Sequence, residues 1–217
     1  MKAQPIVFWG ATGQAKVLRE CTKGGYELAA VFDNNPNVLP PFPDVPLFIG
    51  WPGFEAWRAS CPDPIAFLVA IGGDFGKDRC EIQQRLVRAG LSPARAIHES
   101  AFVADSAIIG IGSQILAHAT LCVEVRLGDA CIVNTAASVD HECVLGHGVH
   151  IAPGATLAGA VEVGNHTMIG AGATILPRLR IGHGVVVGAG SVVTKDVPDG
   201  AVVTGVPGRI IRTREPS

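Results

Sequence analysis

What this 217-residue chain lacks narrows it first. It has no run of about 18 consecutive apolar residues, so no segment has the length of a membrane-spanning helix. Its N-terminus has no basic segment ahead of a long apolar core, which argues against a secretory signal and for a cytoplasmic protein. Charged residues make up only 17% of the chain and the formal net charge is −2, leaving no basic patch for nucleic acid. Six cysteines (Cys21, Cys61, Cys80, Cys122, Cys131 and Cys143) occur without a CxxC pair or regular spacing, which fits a reducing compartment.

What is present is a period of six. From Ile97, every sixth residue through Ile109, Leu121, Val133, Leu145, Leu157, Ile169, Ile181 and on to Val193 is aliphatic. Four residues after each lies a second column, from Ala101 through Ala119, Ala137, Ala155 and Ala173 to Val197, in which all but Leu179 are small or β-branched. Cys131 and Cys143 fall in this second column, so packing explains them. Glycines recur just after the first column, at Gly110, Gly128, Gly146, Gly164, Gly170, Gly182 and Gly188, where they are expected to ease the corners. A six-residue period fits neither a helical stripe nor strand alternation. It fits a short strand followed by a corner. Three such sides close a coil of about 18 residues, and stacked coils make a parallel β-helix with both columns pointing inward.

The first 96 residues read differently. Strands are expected at Ile6–Trp9, Leu28–Phe32 and Ile65–Ile71, with helices at Lys16–Lys23, Phe54–Ser60 and Asp78–Ala89. That alternation predicts a small parallel α/β sheet. Ligands bind such sheets at the carboxyl ends of the strands, here Gly10–Gln14, Asp33–Asn35 and Gly72–Asp74. Gly10–Gln14 opens a helix, so its N–H groups suit a phosphate or sugar oxygen, though a plain strand-to-helix turn accounts for it equally well.

Polar residues interrupt the repeat in one place: Asn134, then Asp140-His141-Glu142, then His147 and His150. Gly159 follows His141 by eighteen residues, so it lies one coil up and leaves a notch beside the imidazole. Neither His141 nor His150 falls in an inward column, so both are expected to face outward, lining a groove with a neighbouring subunit. Such a groove suits acyl transfer from a thioester: a neutral histidine takes the proton of the attacking amine or hydroxyl. A backbone N–H exposed by glycine meets the oxyanion. Consecutive strand residues point to opposite faces, so Glu142 reaches His141 only if the chain turns between them; Asp140 is the rival orienter. His147 shares its corner offset with Asp129, Asn165 and His183 and, like His118, His166 and His183, reads as surface.

On these residues the chain resembles the bacterial sugar O-/N-acyltransferase family, which includes sialic-acid O-acetyltransferases and N-acetyltransferases acting on nucleotide-linked 4-amino sugars. The resemblance spans nearly the whole chain. It is carried by Gly10-Ala11-Thr12-Gly13-Gln14, Asp33-Asn34 and Ile71-Gly72, and above all by the stretch from His141 to His150 with Ala158-Gly159. It implies a Rossmann-like nucleotide-sugar-binding α/β domain over residues 1–96. A left-handed parallel β-helix of hexapeptide repeats with a C-terminal cap would follow over residues 97–217. It further implies acetyl-CoA as co-substrate, no metal, and a homotrimer with the donor bound between adjacent prisms. By the same resemblance His141 is the general base and Glu142 its support. His150 and the Gly159 backbone hold the acetyl carbonyl, and Ala171 and Ala189 touch the pantetheine arm and adenine end. Thr12, Gly13, Gln14, Asp33, Asn34 and Gly72 hold the nucleotide-sugar, with Asn134 assigned to the same site. The family often has histidine where Gln14 stands and a second aspartate where Asn34 stands, which leaves the base open between uridine and guanosine.

The leading expectation is acetyl-CoA-dependent N-acetylation of a UDP- or GDP-linked 4-amino sugar. O-acetylation of a sialic-acid-type sugar is a close variant. A zinc hydratase on the same fold, needing three converging histidines, and a non-catalytic nucleotide-sugar-binding module are the other readings.

Overall fold

The computed structural model describes residues 3–61 and 64–214. Its first unit is a five-stranded sheet built from β1 (Gln4–Trp9), β2 (Tyr26–Asp33), β3 (Leu47–Ile49), β4 (Ala66–Val69) and β5 (Ser92–Pro93). The strand order is β3-β2-β1-β4-β5 and every pairing is parallel. Helices α1 (Gly13–Cys21), α2 (Gly50–Arg58) and α3 (Gly76–Arg88) connect the strands. All four residues of β4, like Ile6–Trp9 of β1, are buried, as a strand covered on both faces requires. Strand order reverses between β1 and β4, so the loops after those strands flank the switch point where such sheets bind ligands.

Two expectations shift here. α1 begins at Gly13, after the three-residue turn Gly10–Thr12, and α2 at Gly50, directly after β3; both start several residues earlier than the sequence suggested. β3 and β5 are too short, at three and two residues, to show a period.

From Ala96 the chain winds into three ladders of two-residue strands paired in parallel at a register of eighteen. The first ladder is closed by Ala201–Thr204, parallel at a register of sixteen, and by the C-terminal strand Arg209–Thr213, antiparallel to it. The first face carries Gln114–Ile115, Ile132–Val133, His150–Ile151 and Met168–Ile169. The second carries Thr120–Leu121, Ser138–Val139 and Thr156–Leu157. The third carries Arg126–Leu127, Val144–Leu145 and Glu162–Val163. Both inward columns merge into one core running from Ile115 to Val203. Ile97 is a departure, being 44% exposed, because no coil lies beneath the first turn to cover it. Polar members of the second column are satisfied within the stack: Cys131 Sγ and Cys143 Sγ point at the carbonyls of Gly146 and Ala158, and Thr167 Oγ1 donates to Gly182 at 2.7 Å. Burial pushes the Cys131 thiol up to about 12, so it stays protonated.

The corner glycines play a different part from the one expected. The left-handed residue of each corner comes two positions further on, as at Gly148 (φ 65°), Glu142 (φ 60°) and His166 (φ 61°). The Gly128 and Gly146 column is needed for stacking instead: a Cβ on Gly128 would lie 2.7 Å from the Gly146 carbonyl carbon of the coil above. The third corner carries a side-chain ladder. Asp129 N–H donates to His147 Nδ1, His147 N–H to Asn165 Oδ1, Asn165 N–H to His183 Nδ1 and His183 N–H to Asp199 Oδ1, all within 2.8–3.0 Å. His147 and His183 are therefore structural acceptors rather than merely solvated side chains.

The first unit packs on the first face of the prism. Leu116 and Ile132, which point outward from the coils, join Ile6, Phe8, Leu18 and Leu68 in one buried cluster. The N-terminus of α3 docks against the coils so closely that a Cβ on Gly76 would sit 2.3 Å from the Gly148 carbonyl oxygen. No helix among the described residues is long and apolar enough to cross a membrane.

Candidate active site

The structure sorts the candidate residues into two places. The first is a pocket of about 610 Å³ at the carboxyl ends of β1, β2 and β4. Thr12, Gly13, Gln14, Asp33, Asn34, Gly72, Asn134 and His150 all line it, with Trp9, Gly10, Ile71, Gly73 and Phe75. Asp33 organises its rim: Oδ2 accepts the Ala11 N–H at 2.8 Å and Oδ1 the Asn35 N–H at 2.9 Å. Gln14 Nε2 donates to Gln114 Oε1 at 2.6 Å, and Gln114 Nε2 in turn reaches the Val69 carbonyl at 2.8 Å. An amide chain thus joins the glycine-rich loop to the prism. Phe75 is 55% exposed at the pocket edge and was not singled out in the sequence, where a lone aromatic after a turn gives no periodic signal.

His150 differs from expectation. It points away from the prism core, but the first unit roofs it and leaves it only 4% exposed, so it belongs to this pocket and not to an open groove. Its Nδ1 lies 3.1 Å from the Gly73 carbonyl, which accepts only from an N–H, so Nδ1 carries the proton. Nε2 is then the acceptor for Asn134 Nδ2, 3.2 Å away. Burial, reinforced by the positive charge of Arg79 and opposed by the Gly73 carbonyl, pushes the imidazole down to about 4. His150 is neutral at physiological pH.

Arg79, on α3, is fully buried. Its guanidinium donates to four backbone carbonyls: Ala130 from Nε (3.1 Å), Ile71 and Gly73 from Nη1 (3.2 and 3.4 Å), and Gly148 from Nη2 (2.7 Å). The sequence carried a signal for it that composition hides: Arg79, Ile82, Gln83 and Leu86 occupy the i, i+3, i+4, i+7 stripe of α3, the face that is buried. His166, expected at the surface, is half-buried, wedged where Gly76 meets Gly148, and burial lowers its pKa.

The second place is the corner after the second face. His141 Nδ1 lies 2.9 Å from Glu142 Oε2, and Asp140 Oδ1 instead accepts the His141 backbone N–H at 2.7 Å. The left-handed turn at Glu142 brings adjacent side chains to one side, so Glu142 and not Asp140 orients the ring. With Nδ1 held by the carboxylate, Nε2 is the ring nitrogen that faces Gly159: a Cβ there would fall 2.3 Å from it. Gly159 is buried beneath the ring; its carbonyl accepts from Arg178 N–H at 3.0 Å, while its own N–H meets no acceptor among the described residues. His141 itself stays open, its side chain 47% exposed. Ala171 and Ala189 are exposed on the corner after the first face, stacked through the Gly190 N–H to Ala171 carbonyl bond. In one chain they do not share a corner with His141. Among the described residues, no group of three or more His, Cys, Asp or Glu side chains is disposed to hold a metal.

An oriented imidazole beside a side-chain-free corner on a hexapeptide prism defines a transferase of the hexapeptide class. The model of the bacterial transferase hexapeptide (six repeats) matches residues 160–195. Perosamine N-acetyltransferase from Caulobacter crescentus, solved as a variant in complex with CoA and GDP-perosamine, superposes with a TM-score of 0.88 at 33% identity, covering 96% of this chain and 97% of that one. The acetyltransferase domain of PglB from Neisseria gonorrhoeae, in complex with acetyl coenzyme A, gives 0.85 at 32% identity over 97% and 100%. WeeI from Acinetobacter baumannii gives 0.82 at 27% identity over 96% and 100%. No curated protein matches by sequence. The chain belongs to the hexapeptide-repeat sugar acyltransferase family.

Proposed function

We propose that the protein is an acetyl-CoA-dependent N-acetyltransferase acting on the amino group of a nucleotide-linked 4-amino sugar. The observation that carries this reading is the pairing of His141 Nε2 with the side-chain-free Gly159 corner, in a chain whose relatives were solved with CoA and GDP-perosamine or with acetyl-CoA.

The residues divide the work as follows. The pocket formed by Thr12, Gly13, Gln14, Asp33, Asn34, Gly72 and Asn134 holds the nucleotide and directs the sugar outward. His141 Nε2 takes the proton released as the sugar amine attacks the thioester carbonyl, and Glu142 holds the imidazole in the tautomer that accepts it. The Gly159 N–H donates to the oxygen of the tetrahedral intermediate. As the C–S bond breaks, the proton passes from His141 to the departing thiolate. The thioester is already activated, so no covalent enzyme intermediate is needed.

His141 with Gly159, and Ala171 with Ala189, lie on different corners of one prism. A donor touching both sets is bridged between two copies, and a closed threefold ring satisfies all three sites alike.

His141→Ala is expected to lower turnover on the order of 10²–10⁴-fold with the fold intact. The check is thiol release from acetyl-CoA against a panel of UDP- and GDP-linked 4-amino sugars. Near-normal turnover in that variant removes His141 from the mechanism. Activity confined to hydroxyl acceptors favours the O-acetyl reading, and binding without turnover favours a sensor.

A further inference from the structure

Among the described residues Arg79 is the only cationic side chain of the lysine or arginine type that is fully buried. Taking a guanidinium out of water costs several kcal/mol after relaxation, and a carboxylate is the common compensation. Here no carboxylate bonds it; four backbone carbonyls do. Ala130 and Gly148 stand on successive coils at the third corner. Ile71 and Gly73 stand in the loop after β4 that walls the pocket. The Gly73 carbonyl is shared, since it also accepts the His150 Nδ1–H. One residue on, Asp74 pairs with Arg214, which directly follows the C-terminal strand Arg209–Thr213, so the loop is tied to the prism at consecutive points. An apolar side chain would pack α3 on the coils without burying a charge. What the planar fork adds is direction: its donors meet carbonyls of both units only when those carbonyls occupy one arrangement.

We propose that Arg79 is a positioning residue for the acceptor site, fixing the Ile71 and Gly73 carbonyls against the coils and thereby setting both the pocket wall at Gly72 and the direction of the His150 imidazole. The proposal rests on the reading of this pocket as the nucleotide-sugar site. It makes Arg79 a determinant of acceptor affinity and leaves donor binding to the prism corners.

The test compares Arg79→Lys and Arg79→Met with the wild-type protein. Lysine keeps the charge but, as a single compact donor, cannot span four carbonyls. KM for the nucleotide-linked amino sugar is expected to rise on the order of tenfold in the lysine variant and further in the methionine variant, with KM for acetyl-CoA within about twofold of wild type. In ligand-free protein, amide hydrogen exchange is expected to accelerate on the order of tenfold at residues 71–75 and to stay unchanged at the His141 corner. Equal shifts in both KM values, unchanged exchange at residues 71–75, or failure of the lysine variant to fold would each reduce Arg79 to a structural tie and overturn the proposal. The exchange measurement uses no substrate. If the wild-type protein turns over no nucleotide-linked amino sugar, the acceptor assignment fails, and exchange alone then decides whether Arg79 holds the loop.

Discussion

Gly159→Ala isolates the geometry of the proposed base from the stability of the fold. The new methyl carbon would stand 2.3 Å from His141 Nε2, 2.4 Å from Cε1 and 3.0 Å from Cδ2. Carbon contacts settle near 3.5–4.0 Å, so the ring must retreat by roughly 1 Å or more. It has room to do so, because the side chain is half-exposed, but the move breaks its alignment with Glu142 Oε2. A displacement of about 1 Å at a catalytic group can cost on the order of 10²-fold, or about 2.7 kcal/mol in the barrier. The backbone at Gly159 is outside the left-handed region and the closest atoms met belong to the imidazole, so the melting temperature should hardly move. Gly184→Ala is the converse control. At Gly184 the added carbon meets nothing within 4 Å, but φ is +60°, so about 1 kcal/mol of strain with normal turnover is expected. Thiol release and thermal melts on both variants decide the matter. Turnover of Gly159→Ala within about twofold of wild type, with an unchanged melt, would refute the claim that the imidazole works at this notch.

Three further outcomes follow from the same geometry. Glu142→Gln should lower kcat by roughly tenfold or more through loss of the charge-assisted bond to Nδ1, whereas Asp140→Asn, whose Oδ1 still accepts the His141 N–H, should change it little; the reverse order would make Asp140 the orienter. His150 is held at about 4 against 6.5 in the unfolded chain, so the unfolded state binds more protons between those values, and stability is fully present above about pH 6.5 and lost as pH falls towards 4. The loss is about 3 kcal/mol at most, and denaturant melts from pH 4 to 7 on wild type and His150→Phe should differ in slope across that window. Gly76→Ala brings a carbon 2.3 Å from the Gly148 carbonyl oxygen, backbone against backbone, and should destabilise by about 1–3 kcal/mol despite alanine's better helix propensity; an unchanged melting temperature would mean that α3 does not seat on the coils as described.

The prism was legible because its signal is repeated: column after column of aliphatics reports the same inward direction, and Ile97 departs only where the stack has an end. His141 with Gly159 was equally legible, since a register of eighteen is arithmetic. What the period could not show is the corner conformation. Only the left-handed backbone at Glu142 puts neighbouring side chains on one side, and a glutamate at that position carries no mark of it. His150 was misplaced for a related reason. The repeat says which way it points and is silent about the first unit lying over it. The pocket residues were found because strand ends are easy to locate, while Phe75 and Arg79 were missed. Arg79 sits on a stripe that is otherwise Ile82, Gln83 and Leu86, and a charged residue on such a stripe is ordinarily taken for a solvated edge.

The three-cornered winding makes chain length a quantised variable. Removing eighteen residues between Gly148, where α3 seats, and the strand Ala201–Thr204 would shorten the stack by one storey and leave every remaining group on its own side. Removing six or twelve would rotate all that follows by a third or two-thirds of a revolution, carrying Ala171 and Ala189 to a different corner of the prism. Working relatives should therefore differ in length along this region by whole multiples of eighteen, and shorter insertions should be found only as loops bulging from a corner.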